Sequence, residues 1–376
     1  MTVGTLQGLR VVEFAGLGPA SFAAMLLADM GAEVVRIARP GHVEMERGAT
    51  IRGRTHLVLD LRNREDQLQA LELLDAADVL IEGFRPGVME RLGLGPDVVL
   101  GRNPRLVYGR MTGWGQTGPR AHTAGHDIDY IAITGALNAI GGEEPAIPLN
   151  LVGDYGGGGL YLAMGILAGV LRARAAGSGQ VIDAAICDGT VSLLSLMHGL
   201  RHVQKWRDTR QSNALDGAAP YYRTYRCKDG HFLAVGAIEP PFYKELVAKL
   251  EISDALFDEQ NDRSRWPAQI ERLKDVFSKR SRGEWLQIFS DSDACVAPVN
   301  SLSESLQDAH LLTRGAFVEI AGQMQPAPAP RFSATPSRAQ ESSKADNVRQ
   351  VLERWGADGL ETGTPADRGC IRQAVS

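Results

Sequence analysis

The 376-residue sequence is poor in cysteine, with only Cys187, Cys227, Cys295 and Cys370, and none of them stand at CxxC spacing. This fits neither a disulfide scaffold nor a cysteine zinc site, so a reducing cytoplasm is the expected compartment. Aromatic residues are 6% of the chain, and Trp206, Trp266, Trp285 and the pair Tyr221 and Tyr222 are not interleaved with a basic stripe. A nucleic-acid surface is therefore not expected. Charge of one sign does not prevail either: 40 Lys and Arg against 45 Asp and Glu give a net charge of -5. That balance supplies no general attraction to nucleic acid or anionic lipid, so any anion site has to be local. The longest apolar stretch, Leu160 to Leu171, ends at Arg172 and is too short to cross a bilayer. It reads as a buried helix, and no membrane partner is expected. Met1 to Arg10 shows no basic stretch followed by an apolar run, so no secretory signal is read there. His198 and His202 stand four apart on a predicted helix, but without an HExxH pattern or a third ligand they do not suggest a metal.

What is present is enough apolar material, 44% of the chain, for a large core, and a length that suits two domains. Leu9 to Phe14 reads as a buried strand, Gly16 to Gly18 as a tight turn, and Pro19 as the first residue of a helix reaching Met30. The alternation continues through strands at Glu33 to Ile37, Leu57 to Leu61, Val79 to Glu82 and Leu106 to Met111, with a helix at Arg64 to Ala77. This pattern predicts a parallel sheet with helical crossovers. A further strand is read at Gln180 to Ala185. From Pro220 the pattern changes to an antiparallel hairpin, Tyr221 to Arg226 and His231 to Val235, turning at Lys228-Asp-Gly230. The expected class is α/β: a large Rossmann-like parallel-sheet domain plus a smaller α+β domain. Its parts are residues 1–195, a linker at 196–220, the small domain at 221–312, and a return linker and C-terminal segment at 313–376.

Several residues could carry chemistry. The turn Gly16-x-Gly18-x-x-Ser21 is one glycine short of a dinucleotide fingerprint, and the second strand ends in Arg36 and Arg39 where a nicotinamide enzyme would place an acid. Guanidinium there suits a phosphate on an adenosine ribose, which coenzyme A and NADP both carry, while the plain alternative is a solvated surface charge. Arg62, Arg85 and Arg91 fall at or after later strand ends, on the same sheet edge. His126 follows the glycine-rich segment Thr112 to Pro119, and histidine is the side chain whose ordinary pKa of ~6.5 suits proton transfer near neutrality. Asp154 precedes Gly156 to Gly159 and an apolar helix, at or just before its N-terminus. It could be a plain helix cap or could stand beside amides that face a bound anion. Glu239 lies between a strand and a proline-initiated helix.

In this order the pieces resemble the family III coenzyme A transferases, and within them the α-methylacyl-CoA racemases. The segments that carry the resemblance are Leu9 to Ala15, Gly31 to Ile37, Val79 to Val88, Met111 to Pro119, Ala124 to Tyr130, Asn150 to Gly156 and Val235 to Pro240. The resemblance places the family's catalytic histidine on His126, its catalytic aspartate on Asp154, and the glutamate supporting the histidine side on Glu239. It places coenzyme contacts on Arg39, on Leu59, Asp60, Leu61 and Arg62, on Gly83, Phe84 and Arg85, on Arg91, and on Gly125, Asp127 and Tyr130. Departures from the family pattern stand at Ala38, Arg62 and Phe84. The resemblance implies an interlocked homodimer acting on an acyl-CoA thioester, with no cofactor beyond the substrate's own coenzyme A.

The implied reaction is inversion of a 2-methylacyl-CoA by 1,1-proton transfer through an enolate. His126 and Asp154 would take a proton from one face of the α-carbon and deliver one to the other. Helix amides beside Asp154 are expected to hold the enolate oxygen. Within the family the alternative is a formyl-CoA-type CoA transferase with Asp154 as nucleophile. An NADP-dependent dehydrogenase is a rival of another class, and it lacks the full glycine fingerprint.

Overall fold

The structure is a computed structural model and describes residues 4–16, 18–42, 48–345 and 347–357. Cys370 and the polar tail from residue 358 onward lie outside the described residues. Among the described residues two compact units emerge, one within residues 1–134, 149–193 and 312–376, the other within residues 135–148 and 194–311.

The larger unit alternates strands and helices from its start. β1 (Arg10–Phe14), α1 (Pro19–Asp29), β2 (Glu33–Ala38), β3 (Arg54–Val58), α2 (Arg64–Ala76) and β4 (Val79–Glu82) come first. They are followed by α3 (Val88–Arg91), α4 (Pro96–Arg102), β5 (Val107–Thr112) and α5 (Asp127–Thr134). After α6 (Ala136–Ala139), which belongs to the other unit, the chain returns as a ten-residue π-helical segment, Leu151–Leu160. It runs without a break into α7 (Tyr161–Ala176), β6 (Val181–Ala185) and α8 (Ile186–Leu193).

The strands lie in the order β12-β3-β2-β1-β4-β5-β6, with β12 being the two residues Ser343–Lys344, and every pairing in this sheet is parallel. The order reverses between β1 and β4, and in such sheets a crevice opens beyond the carboxyl ends of the strands at that point. Side-chain alternation sends Val11, Val34, Val79 and Val107 to one face, packed on α1 and α7. Val12, Val35, Leu57, Leu80 and Tyr108 go to the other face with α2 and α15 (Val348–Arg354). Both faces are covered, as the near-continuous apolar strands require.

β3 differs from its sequence reading. It was expected at Leu57 to Leu61 and begins three residues earlier, at Arg54, whose guanidinium is buried and donates to Glu13 Oε2 at 3.1 Å. A charged residue inside a strand carries no apolar signal, so the hydrophobic pattern misplaced the element. The helix around Asp154 differs as well. Leu151 to Ala176 is one 26-residue helical run, long and apolar enough to cross a membrane, where the sequence reading gave Leu160 to Leu171 as the longest apolar stretch and too short to span. One face, with Leu162, Ile166 and Val170, is buried in the core, while Leu160, Met164 and Leu171 are exposed.

The second unit holds α6, α9 (Ser195–His202) and the antiparallel sheet β7 (Tyr222–Arg226), β8 (Phe232–Gly236) and β9 (Val296–Pro298). Helices α10 (Pro240–Lys249), α11 (Trp266–Phe277) and α12 (Arg282–Ile288) pack on it around Tyr225, Trp266, Phe277 and Trp285. α13 (Leu302–Ser305) follows, and α14 (Ala309–Thr313) leads to the antiparallel pair β10 (Phe317–Ile320) and β11 (Gln323–Pro326) of the larger unit. Residues 196–220, read from the sequence as a linker, cluster with the second unit, as do residues 135–148. Arg210 donates to the carbonyls of Asn138, Gly142 and Glu143, a long-range tie within this unit that no local pattern announces.

Candidate functional site

The carboxyl ends of β1, β2, β3 and β4 wall a cavity of about 370 Å³ lined by Phe14, Ala15, Ile37, Arg39, Leu59 to Arg62 and Phe84. Of the expected coenzyme contacts, Arg39, Leu59, Asp60, Leu61, Arg62 and Phe84 meet here. Arg62 and Asp60 pair through two bonds of 2.9 Å, and the guanidinium holds the Asp60 carboxyl below its usual range. Arg39 and Arg62 are exposed at the rim. Arg91 is exposed on α3, between the lining residues Val88 and Leu92, and is not itself part of the wall.

Arg36 is corrected. Its guanidinium is wholly buried and paired with Glu13, with Ser21 Oγ 3.1 Å away, so it is neither a surface charge nor a phosphate contact. An acid in the buried run Val-Val-Glu-Phe was the signal that could have found the pair.

A smaller cavity of about 120 Å³ lies beside the first and is lined by Gly83, Phe84, Arg85, Met111 to Trp114, Gly125 and Tyr130. Its loop is shaped from beneath by Glu82, which ends β4 fully buried and accepts from the Phe84 amide at 2.7 Å and from Arg110 Nε at 2.8 Å. Burial pushes the Glu82 carboxyl up, and the Arg110 guanidinium opposes that rise. Tyr130 packs edge-on against Trp114 at 4.7 Å and donates its hydroxyl to the Gly125 carbonyl. Burial, and next the charge of Asp154, raise the Tyr130 hydroxyl above its usual range.

His126 stands exposed at the start of α5, its carbonyl accepting from Asp129 N at 2.8 Å and Tyr130 N at 3.2 Å. Asp129 returns the cap, accepting from His126 N at 2.9 Å. Asp127 then crosses to the π-helical segment, where its Oδ1 accepts from the Asp154 amide at 2.7 Å. One side chain therefore ties the segment carrying His126 to the segment carrying Asp154. Burial pushes the Asp127 carboxyl up, against the Asp154 and Gly153 amides that stabilise its charged form.

Asp154 lies inside the first turn of a helix begun at Leu151, not at or before its start. The helix is π-wound there, a form common at functional sites. The expected oxyanion site beside Asp154 changes accordingly, because that amide is already taken by Asp127. Glycines 157 to 159 have a packing reason instead. A Cβ on Gly157 would lie 2.8 Å from Thr190 N, and one on Gly159 would lie 2.8 Å from Phe22 Cδ1. Among the described residues, no acceptor meets the amides of Asp127 and Ile128, which open α5 directly after His126.

Glu239 belongs to the second unit, where it is the exposed N-cap of α10, its carbonyl accepting from Tyr243 N at 3.0 Å. Gln260 Nε2 holds the preceding turn through the carbonyls of Ala237 at 3.2 Å and Ile238 at 2.7 Å. Among the described residues no group of three or more His, Cys, Asp or Glu could hold a metal ion.

Residues 6–346 match CoA-transferase family III. The α-methylacyl-CoA racemases of Mus musculus and Homo sapiens are each 42% identical over 357 residues, spanning 93% of this chain and 93% of the relative. Among solved structures, a CAIB/BAIF family protein from Brucella suis superposes with a TM-score of 0.79 at 25% identity, over 95% of this chain and 100% of that one. A match that runs from the first strand to the return segment, joined to relatives at 42% identity over nearly the whole length, makes this chain a member of CoA-transferase family III.

Proposed function

We propose that the chain is an isomerase, an α-methylacyl-CoA racemase that inverts 2-methylacyl-CoA thioesters by 1,1-proton transfer. The observation that carries the reading is the bond from the Asp154 amide to Asp127 Oδ1, which fastens the His126 segment to the Asp154 segment at 2.7 Å. Two groups able to exchange protons are thereby set in one unit beside the strand-end crevice. The identity to the mouse and human racemases supports the same reaction.

In this mechanism one base removes the α-proton and the other returns a proton to the opposite face. Negative charge collects on the thioester oxygen, and the amides of Asp127 and Ile128 are assigned to hold it, each well-placed donor contributing about 3 kcal/mol. The nucleotide portion of the coenzyme is assigned to the larger cavity with Arg39 at its rim, and the pantetheine arm to the passage by Gly83 to Arg85, Gly125 and Tyr130. Arg91 is assigned an outer contact and Glu239 support of the histidine side. The reaction is redox-neutral and needs no cofactor beyond the coenzyme A of its substrate. A homodimer is part of this reading, and the exposed apolar side chains Leu160, Met164 and Leu171 along one helix support it as a face to be covered.

The test is incubation of either enantiomer of a 2-methylacyl-CoA in heavy water. Deuterium is expected at the α-carbon, with both enantiomers converging on a near-equal mixture. Movement of CoA to added succinate or formate at a comparable rate would replace the racemase by a transferase that uses Asp154 as nucleophile.

A further inference from the structure

Beneath the turn that opens α1 lies a cluster of five buried charges. Glu13 and Arg36 are fully buried, Arg54 is 1% exposed, and Asp29 and Arg52 are each 3% exposed. Three guanidinium groups face two carboxylates, so the donors left over must find other acceptors. Several find backbone carbonyls. Arg36 Nη2 donates to Gly16 O at 3.3 Å, Arg54 Nη2 donates to Ser21 O, and Arg54 Nη1 donates to Arg52 O at 2.9 Å. The Ser21 hydroxyl stands between them, 3.2 Å from Glu13 Oε1, 3.3 Å from Gly16 O and 3.1 Å from Arg36 Nη1. The network thus grips the turn at both ends, Gly16 and Ser21.

Between those ends is Gly18, whose backbone has φ +68°, in the left-handed region that favours glycine. A methyl group built on Gly18 would sit 3.4 Å from Oδ2 of Asp154. The next turn of α1 carries the rest of the contact. A Cβ on Gly158 would stand 3.0 Å from Pro19 Cβ, and Phe22 stacks on Tyr155 with ring centroids 4.4 Å apart. The carboxylate of Asp154 and the residue after it therefore lie against Gly18 and the first turn of α1, where the buried charges hold Ser21.

We propose that Arg36 is a positioning residue for Asp154, acting through Ser21 and Gly18 at the start of α1. The inference rests on the reading of Asp154 as one of the two bases. A residue that merely stabilises the sheet would, on removal, weaken proton transfer on both faces of the substrate together. One that seats Asp154 weakens transfer on the Asp154 face alone.

The experiment measures α-proton exchange in heavy water from each enantiomer separately, for wild type, His126→Ala, Asp154→Asn, Arg36→Met and Ser21→Ala. Asp154→Asn identifies the enantiomer served by Asp154. On that enantiomer Arg36→Met is expected to lower exchange about 10- to 100-fold, the scale of a displacement near 1 Å, while the other enantiomer stays within about twofold. Ser21→Ala breaks no buried ion pair and is expected to move exchange in the same face-selective direction. It decides the matter if thermal unfolding shows that Arg36→Met does not fold. Equal loss on both faces, or no loss on either, overturns the positioning role and leaves the base assignment intact. Lack of face selectivity in Asp154→Asn itself would remove both.

Discussion

The arginines of the larger unit divide by the fate of the guanidinium. Arg36, Arg52 and Arg54 are buried and consumed by Glu13, Asp29 and backbone carbonyls, whereas Arg39, Arg62, Arg85 and Arg91 are exposed at strand ends or just beyond. The sequence placed Arg36, Arg39, Arg62, Arg85 and Arg91 at or after strand ends, whereas Arg52 and Arg54, which lie before and at the start of β3, carried no signal. It could not tell which of two arginines three residues apart on and after β2 points into the core, since that depends on the acid at Glu13 of the neighbouring strand. For the exposed set the expected role is charge-assisted contact with nucleotide phosphates. Arg39→Ala should therefore impair full CoA thioesters by roughly 1.5 to 3 kcal/mol in kcat/KM and leave pantetheine thioesters nearly unchanged. Steady-state kinetics on the two substrate series checks this, and equal loss on both would remove Arg39 from the nucleotide site.

At the scale of elements, the run Leu151 to Ala176 carries the least legible feature. Four consecutive glycines after an aspartate read as freedom for close approach to a bound anion, but the structure uses three of them to let a π-wound helix press against α1 and α8. The stability consequence has a definite sign. An alanine at Gly157 gains roughly 1 kcal/mol of helix propensity, but its Cβ would lie 2.8 Å from Thr190 N and 2.9 Å from the Ile186 carbonyl. Overpacking of that kind costs about 1 to 3 kcal/mol and should exceed the gain. Thermal unfolding should show Gly157→Ala destabilised, and Gly199→Ala on α9, with nothing within 4 Å of its Cβ, neutral or stabilised. A stabilised Gly157→Ala would mean the helices are not packed as closely as described. The strands β1, β2 and β4 were legible from short apolar cores, Val11–Val12, Val34–Val35 and Val79–Ile81, each beside a single buried charge. β12, the polar pair Ser343–Lys344, was not, because only its pairing with β3 makes it a strand.

Across the whole molecule, the parallel sheet followed from the alternation of strand and helix, and the reversal between β1 and β4 set the crevice where the expected coenzyme residues collect. Cluster membership of residues 135–148 with the segment that resumes at Leu194 did not follow, because it depends on long-range ties such as those of Arg210. From the residues alone Asp154 was one candidate partner for His126 beside a plain cap, and the family resemblance chose between them. In the fold the Asp127 side chain joins the two segments that carry these residues. In the proposed reaction His126 and Asp154 serve opposite faces of one α-carbon. The most direct measurement is NMR of the α-position during exchange in heavy water, with His126→Ala and Asp154→Asn each given each enantiomer of a 2-methylacyl-CoA. Neither mutant should racemise, each should exchange one enantiomer with retained configuration, and the two mutants should exchange opposite enantiomers. Preference of both mutants for the same enantiomer, or racemisation by either at the wild-type rate, would contradict this.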